Sequence, residues 1–457
     1  MAAPLLSGGT DSQTNGSSPS SPQTYRILVL PGDHVGPEVM KEAVKVLEKI
    51  EEKRPNIKFQ LTHDIAGGCS MDKHGTPITD EVLRIGKEDV DAILFGSVGG
   101  PEWGHSYPNP ESSLLRLRAH IGAFANIRPA TFYSKSLIPR SPLKPEIVSD
   151  VNFVVLRENC GGAYYGNKVE EEDYAMDPWG YTTPEIERCA RVAGALARKM
   201  GKDGLGLGNS PPATVWSADK ANVLANSRLW RKVVSRIFKE EFPDVELKHQ
   251  LADSLSMLLM TDPARFNGVI VTDNTFGDML SDQAGGVVGT LGVLPSASLC
   301  GIPGEGTKCN GIYEPVHGSA PDISGKGVVN PVAEILSAAL LLRYSLGLNE
   351  EAVMIERAVE KVLDGQEIGG LGLRSGDLGG TASTEQIGDA VCRILGDMLD
   401  GGSGAHGGSG VETSTLGEDA RMASPTDAHA NENKVFEARL AKSGAETGPH
   451  TALPSNG

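Results

Sequence analysis

Short apolar runs that end in glycine or proline turns, and are followed by helical patterns, constrain the fold of this chain most. The run at residues 27–30 ends at Pro31-Gly32, and a pattern with one apolar face begins at Pro37. Further apolar runs lie at residues 92–95, 152–156 and 268–271. Buried strands that alternate with amphipathic helices predict an α/β fold.

The two ends of the chain differ from its centre. Residues 1–25 and 397–457 are rich in small and polar residues, so we expect them to be disordered tails around a folded unit. The first 25 residues carry no lysine or arginine and no apolar signal segment, which favours the cytoplasm over a secreted or imported protein. The apolar run at residues 335–342 is too short to span a bilayer and predicts a core helix.

Charge and cysteine content narrow the function further. The net charge of −17 disfavours nucleic-acid binding, and an acidic enzyme with an acidic substrate must concentrate its arginines locally. The six cysteines form no C-x-x-C pair, so we interpret them as reduced thiols of an intracellular protein. The glycine-rich stretch 204–208 lacks the spacing of a dinucleotide loop, and we predict no cofactor site there.

Asp278 and Asp282 are the most informative pair of polar residues. Four residues apart on a helix, they lie on one face and direct two carboxylates to one place. Like charges so close favour a cation or a shared proton, and oxygen ligands suit Mg²⁺ or Mn²⁺. The alternative is a pair of solvated aspartates at a helix start.

Seven segments in order resemble the isocitrate/isopropylmalate family of β-decarboxylating dehydrogenases, and most of all its fungal isopropylmalate branch. The resemblance covers about residues 26–396. The segments are residues 30–38 (LPGDHVGPE), 96–101 (GSVGGP), 111–118 with 126–129 (NIRP), 157–158 with 161–166 (GGAYYG), 219–224 (DKANVL), 274–282 (NTFGDMLSD) and 314–322 (EPVHGSAPD).

The resemblance implies a two-domain fold that is not a standard Rossmann fold. Residues 26–123 and 290–396 together would form the first, cofactor-side domain, and residues 124–289 the central domain with the dimer interface. The family's active sites are shared between two subunits, so the resemblance implies a homodimer.

The resemblance also implies a substrate and metal site. Arg118, Arg128 and Arg157 match residues that bind the carboxylates of a malate skeleton, which guanidinium groups grip bidentately. Asp253 of one subunit would join Asp278 and Asp282 of the other around Mg²⁺ or Mn²⁺, although Asp253 alone could equally be a helix N-cap.

By the same resemblance, Lys220 and Tyr164 are the catalytic pair. Lys220 would remove the substrate hydroxyl proton during hydride transfer, and Tyr164 would protonate the enol that remains after CO₂ is lost. The cofactor would be NAD, because a carboxylate at Asp322 binds the ribose hydroxyls and repels a 2′-phosphate. The remaining cofactor-binding positions are His317, Gly318, Ser319, Ala320 and Asn330.

Substrate choice would depend on an apolar wall. Leu114 and Leu115, with Val223 of the second subunit, favour an isopropyl group, and Glu111 repels a third carboxylate. Asn222 and Asp253 would also bind the substrate. The implied reaction is oxidative decarboxylation of (2R,3S)-3-isopropylmalate to 4-methyl-2-oxopentanoate, the third step of leucine biosynthesis.

Departures from the family pattern leave two alternatives open. Small or polar residues replace bulkier ones, which could enlarge the pocket for a larger 3-substituted malate in specialised metabolism; the fold could also serve a binding protein without catalysis. These departures are Asn109, Asn159, Cys160, Ala218, Ala252, Asp273, Gly285 and Gly286.

Overall fold

The computed structural model describes residues 22–104, 108–203, 213–304 and 309–401. Most of both predicted tails and the glycine-rich stretch 204–208 lie outside these residues. The first strand begins at Gln23 and the last helix ends at Leu399, so structure reaches slightly into the predicted tails. The reason at the first end is pairing, because Gln23 aligns with Ile57 of the neighbouring strand.

The described residues contain a long mixed sheet and one short ribbon. The strands are β1 (Gln23–Gly32), β2 (Ile57–His63), β3 (Ala92–Ser97), β4 (Ala125–Thr131), β5 (Asn152–Glu158), β6 (Val169–Glu170), β7 (Ala175–Met176), β8 (Thr214–Asp219), β9 (Glu246–Leu251), β10 (Gly268–Thr272), β11 (Pro295–Leu299) and β12 (Gly311–Pro315).

Helices follow most of these strands. The α-helices are α1 (Gly36–Lys53), α2 (Gly68–His74), α3 (Asp80–Arg84), α4 (Ser112–Ile121), α5 (Pro145–Val148), α6 (Thr183–Asp203), α7 (Ala225–Glu241), α8 (Ala252–Thr261), α9 (Asn274–Val288), α10 (Val332–Leu341), α11 (Asn349–Leu363) and α12 (Thr384–Leu399). None of the described helices has the length and apolar character needed to cross a membrane.

Ten strands form one sheet in the order β2-β1-β3-β12-β11-β4-β5-β10-β8-β9. Pairing is parallel towards both ends and antiparallel at β12-β11, β11-β4 and β4-β5 in the middle. The α/β fold is therefore confirmed. The first five strands in this order come from residues before 124 or after 289, and the other five from residues 124–289; the domain boundaries themselves stay a prediction.

The predicted strands and core helix lie where the apolar runs place them. Ile27, Leu28, Val29 and Leu30 are fully buried in β1, as the uninterrupted apolar run requires. Every residue of α10 is buried. The turn after β1 needs glycine, since Gly32 has φ +76° and a Cβ there would lie 2.1 Å from the carbonyl oxygen of Ser97.

Candidate active site

Three arginines meet where the two halves of the sheet join. Arg118 lies on α4, Arg128 on β4 and Arg157 on β5, and they are buried or half-buried. Burial, followed by the charge of Arg128, lowers the pKa of Arg157 to about 10. Like charges held this close in a low-dielectric site favour an anionic ligand. The predicted local concentration of positive charge is therefore present in an acidic protein.

The carboxylates of α9 face this arginine cluster. Asp278 forms an ion pair with Nη1 of Arg157, and Asp282 accepts a 2.8 Å hydrogen bond from Nη1 of Arg128. Gly277 permits the approach, because a Cβ there would lie 2.7 Å from Cβ of Arg157. The predicted helical face is confirmed: both carboxylates point to one place.

Asp273 does not extend this carboxylate pair. Its side chain is the N-cap of α9, accepting 2.9 Å from the Phe276 N–H, and it also accepts 3.2 Å from the Trp179 indole. Burial raises its pKa to about 7. The Asp273 carboxylate therefore caps the start of α9 and is not a third member of the pair.

Tyr164 joins the arginine and carboxylate groups. It closes the 3₁₀ turn Gly162–Tyr164, its hydroxyl donates 2.7 Å to Oδ2 of Asp278, and the guanidinium carbon of Arg157 lies 5.4 Å from its ring centre. Burial, together with the Asp278 hydrogen bond, raises the pKa of Tyr164 to about 12. Tyr164 is therefore a proton donor at neutral pH, positioned beside the arginines.

A second cluster contains Lys220 and Asp253. The Lys220 ammonium lies 2.5 Å from Oδ2 of Asp253, and this contact lowers the pKa of Asp253. Leu251 is the N-cap of α8 and Asp253 lies within its first turn, so the alternative reading of Asp253 as an N-cap is wrong. Asn222 and Val223, which follow Lys220, are exposed.

The two clusters are not brought together within one chain. Among the described residues of a single chain, no three acidic, histidine or cysteine side chains come close enough to hold a metal ion. Asp253 therefore does not stand beside Asp278 and Asp282 of its own chain. Its side chain is 62% exposed, which leaves its carboxylate accessible from outside.

The donor set of α9 fits a divalent cation. Asp278 and Asp282 supply anionic oxygens, and their side chains are 33% and 64% exposed. Hard oxygen donors of this kind suit Mg²⁺ or Mn²⁺, which complete their coordination with water and substrate oxygens.

A cleft of about 200 Å³ adjoins the arginines. Leu114 and Glu111 of the predicted specificity segment line it, together with Arg118 and Arg128. Leu115 is half-buried on α4 and does not line this cleft in one chain. Arg116 lies outside it and pairs with Asp80 at 3.3 Å, as expected of a surface arginine.

A larger cavity of about 590 Å³ begins where this cleft ends. His317 and Gly318 line both spaces, and Ala320 and Asn330 line the larger one. Nε2 of His317 is buried without a hydrogen-bond partner among the described residues, and burial lowers the pKa of this histidine. A neutral imidazole with a free ring nitrogen, in a wall shared by two cavities, fits a polar ligand that extends through both.

Two of the predicted cofactor-binding residues, Ser319 and Asp322, do not line the larger cavity. Ser319 is buried and structural: its hydroxyl donates 2.8 Å to the Gly99 carbonyl, and its own carbonyl accepts 3.1 Å from the Val35 N–H. Asp322 is exposed on the short turn Pro321–Ile323 and does not line the cavity, so its carboxylate lies in solvent.

Sequence reasoning missed two acidic residues of the site. Glu314 of β12 accepts a 2.6 Å hydrogen bond from Nη2 of Arg118, and Asp377 accepts 3.1 Å from the Asn330 amide and 2.8 Å from Thr290. Glu314 carried one signal, because it is a charged residue in a buried strand of an already quoted motif. Asp377 carried no comparable signal.

The departures from the family pattern do not line the substrate cleft. Asn159 and Ala218 are buried within strands or strand ends, Ala252 is buried at the start of α8, and Asn109 accepts a hydrogen bond from Ser112 at the start of α4. The observation that would favour a larger pocket is therefore not present in this cleft.

The chain is similar in sequence to known dehydrogenases. The family profile "Isocitrate/isopropylmalate dehydrogenase" matches residues 26–391. A protein of Hapsidospora chrysogena named 3-isopropylmalate dehydrogenase is 62% identical over 83% of this chain and 98% of its own length. Its namesake in Schizosaccharomyces pombe is 52% identical over 82% of this chain and 99% of its own length.

The chain also resembles solved structures of dehydrogenases in its fold. Isocitrate dehydrogenase of Methylococcus capsulatus aligns with a TM-score of 0.67 at 32% identity, covering 81% of this chain and 99% of its own. A β-decarboxylating dehydrogenase of Thermococcus kodakarensis aligns at 0.64 with 32% identity, covering 82% and 97%. Fold, site and matches define an oxidoreductase. The chain belongs to the isocitrate/isopropylmalate dehydrogenase family.

Proposed function

We propose that the chain catalyses the NAD-dependent oxidative decarboxylation of (2R,3S)-3-isopropylmalate to 4-methyl-2-oxopentanoate, the third step of leucine biosynthesis. One observation carries the proposal: three arginines converge beside an apolar residue, Leu114, and a proton donor, Tyr164. The near full-length relatives named 3-isopropylmalate dehydrogenase support the same substrate.

The arginines bind and orient the malate skeleton. Arg128 is held at 2.8 Å by Ser281 and at 3.0 Å by Asn126, and Asn274 holds Nε of Arg157 at 2.8 Å. Side chains fixed by such contacts lose little freedom when substrate binds. Bidentate contacts to two carboxylates would then fix the orientation of C2, so that its one hydrogen faces the cofactor.

Leu114 gives the cleft its selectivity. An apolar wall favours an isopropyl group by roughly 1–3 kcal/mol over a smaller substituent and disfavours a charged one more strongly. Glu111, on the same cleft, repels the third carboxylate of isocitrate. Val223 is 63% exposed, as expected if the second subunit contributes it to the wall.

Asp278 and Asp282, with the partner's Asp253, would hold Mg²⁺ or Mn²⁺. When bound, the cation supplies Lewis-acid stabilisation of negative charge on the substrate oxygens. Arg157 and Arg128, which hold the two α9 carboxylates in the structure, would be freed to bind substrate carboxylates.

Lys220 and Tyr164 divide the proton transfers between them. Lys220, as the neutral amine, would take the C2 hydroxyl proton, while NAD, when bound, would supply the hydride acceptor for C2. Tyr164, kept protonated by its raised pKa, gives a proton to C3 of the enol after CO₂ departs. Because Lys220 lies in the cluster with Asp253, this division requires two subunits at each site.

NAD would occupy the cavity bounded by Gly292, Gly318 and Asn330. Glycine is required at position 292, since a Cβ there would lie 2.4 Å from the Asp377 carboxylate and 2.9 Å from the Asn330 amide. Asp322, exposed on the turn between the cavity-lining residues Ala320 and Ile323, would bind the ribose hydroxyls and repel a 2′-phosphate, which favours NAD over NADP.

The homodimer is supported by exposed apolar side chains near both clusters. Met257 and Met260 of α8 and Met279 of α9 are 61%, 41% and 67% exposed, and Tyr174 is 53% exposed in the turn of the β6-β7 ribbon. Exposed groups of large apolar side chains mark interaction surfaces. We assign this surface to a second copy, with residues 124–289 as the interface domain and residues 26–123 plus 290–396 as the cofactor-side domain.

The cytoplasm is the proposed compartment. All six cysteines are free thiols, as the sequence predicted, which agrees with a reducing environment.

The test is NADH formation by the purified protein with 3-isopropylmalate and Mg²⁺, compared with 3-benzylmalate and isocitrate. We expect the highest kcat/KM on isopropylmalate and loss of turnover in EDTA that excess Mg²⁺ restores. A higher kcat/KM on benzylmalate would mean that the enzyme's substrate is a larger 3-substituted malate. Inactivity on all three would contradict the proposed function.

A further inference from the structure

Two buried polar groups beside the arginine cluster have no hydrogen-bond partner among the described residues. They are Nε of Arg118 and the hydroxyl of Tyr165. Arg118 is only 7% exposed and uses Nη2 on Glu314. Buried donors are nearly always satisfied in native proteins, so two unsatisfied donors in one neighbourhood indicate a missing acceptor.

Tyr165 lies beside the residues of this site. It directly follows Tyr164, and its N–H donates 3.2 Å to the Gly162 carbonyl, which fixes its backbone to the 3₁₀ turn. Cys160 contributes, after burial, to raising the pKa of Tyr165, and its sulfur lies 3.8 Å from the Arg118 carbonyl oxygen. Burial raises the pKa of the Tyr165 hydroxyl, and the positive charges of Arg118 and Arg157 oppose this by lowering it.

The two neighbouring tyrosines differ in how their hydroxyls are used. Tyr164 donates to Asp278 and is already committed within the apoprotein. Tyr165 has no such contact, and burial raises its pKa to about 12, so it remains a donor at neutral pH. A donor of this kind next to an unsatisfied guanidinium N–H suits an anionic oxygen.

We propose that Tyr165 is a further substrate-binding residue, whose hydroxyl donates a hydrogen bond to the substrate carboxylate that Arg118 binds. The inference rests on the proposed function, because it takes a malate carboxylate as the ligand. It assigns to Tyr165 a role in binding, whereas Tyr164 acts in proton transfer.

The experiment compares Tyr165→Phe with the wild-type enzyme in steady-state kinetics on 3-isopropylmalate. Loss of one hydrogen bond to a charged group predicts a roughly 10-fold rise in KM with little change in kcat. The matched control is Tyr344→Phe, which removes another buried hydroxyl without a partner, one whose charged neighbours are Arg343 and Glu356 and not the three arginines of the site. Tyr344→Phe should leave KM unchanged.

A double-mutant cycle with Arg118→Lys separates a shared ligand from independent effects. If Tyr165 and Arg118 bind one carboxylate, the two losses in kcat/KM will be smaller together than the product of the single losses. Thermal unfolding of each variant checks folding, and calorimetric titration of 3-isopropylmalate measures binding without turnover.

The outcomes are distinct. A wild-type protein that neither turns over nor binds isopropylmalate refutes the proposed function itself. An active wild type with an unchanged KM in Tyr165→Phe overturns the role of Tyr165 alone. A fall in kcat without a rise in KM also overturns it, since the hydroxyl would then act in the chemical step.

Discussion

The hydroxyl of Tyr164 donates a 2.7 Å hydrogen bond to the carboxylate of Asp278, which also pairs with Arg157. A proposed proton donor, a proposed metal ligand and a proposed substrate ligand are thus in direct contact. Asp278 would also hold the proposed cation, whose charge would partly neutralise the carboxylate that accepts the tyrosine hydrogen bond. The Tyr164 proton would then be easier to transfer.

Tyr164→Phe should therefore reduce catalysis without abolishing substrate binding. We expect kcat to fall by roughly 10²–10⁴-fold with a smaller change in KM, as is typical for loss of a general acid. The measurement is NADH formation at saturating substrate, with Tyr344→Phe as the control for removal of a buried tyrosine hydroxyl. A kcat within about threefold of wild type would remove Tyr164 from the chemical mechanism.

Mixed dimers test whether the two clusters belong to different subunits. Tyr164→Phe and Lys220→Ala should each be nearly inactive, but a heterodimer regains one intact site, with Tyr164 from one chain and Lys220 from the other. Random mixing gives half heterodimers, so we expect recovery of about a quarter of wild-type activity. The assay follows activity after the two variants are unfolded and refolded together.

The control for mixing is each variant refolded alone. Activity that stays at the level of the single variants, in a mixture shown by labelled chains to contain heterodimers, would place Tyr164 and Lys220 of one chain in the same site.

Asp322 allows a test of cofactor choice. Replacement by serine removes this exposed carboxylate, and we expect kcat/KM for NAD to fall by roughly 10-fold while that for NADP rises. Asp80→Ser removes another exposed carboxylate, one whose neighbours along the chain line neither cavity, and should change neither value. An unchanged preference for NAD over NADP in Asp322→Ser would mean that another residue recognises the 2′-position of the ribose.

The sequence predicted the parts of this protein that local pattern determines. Short buried runs such as residues 27–30 favour strands when turns bound them closely, and the spacing of Asp278 and Asp282 sets one helical face before any packing is known. These features appear in the structure as predicted.

Contacts between residues that are far apart in the sequence could not be predicted from local pattern. Arg118 and Glu314 are 196 positions apart and meet only because β12 and α4 pack on one half of the sheet. Asp377 meets Asn330 through a loop without strong periodicity. Local pattern gives the residue types that a site needs, but the partner of a buried charge is decided by tertiary packing.

Glu334 gives the last prediction, on the pH dependence of stability. It lies on the fully buried helix α10, and neither of its carboxyl oxygens has a hydrogen-bond partner among the described residues. Burial, and then the charge of Glu314, raises the pKa of Glu334 well above its usual value. The folded protein therefore keeps this carboxyl protonated where an unfolded chain has already lost the proton.

The sign follows from this difference in bound protons. Above the unfolded pKa of about 4.3 the native state holds one proton more than the unfolded state, so stability falls as pH rises, by about 1.4 kcal/mol per pH unit, until the folded pKa is passed. Glu334→Gln cannot ionise and should remove this slope. The measurement is the free energy of unfolding in urea between about pH 5 and pH 7 for both proteins.

Glu241→Gln is the control, because Arg191 lowers the pKa of that exposed carboxyl and its titration lies below this pH range. We expect wild type and Glu241→Gln to share one slope and Glu334→Gln to have a shallower one. Parallel curves for all three proteins would mean that Glu334 ionises in the folded state, and that its carboxylate finds a partner which its burial and its missing contacts do not indicate.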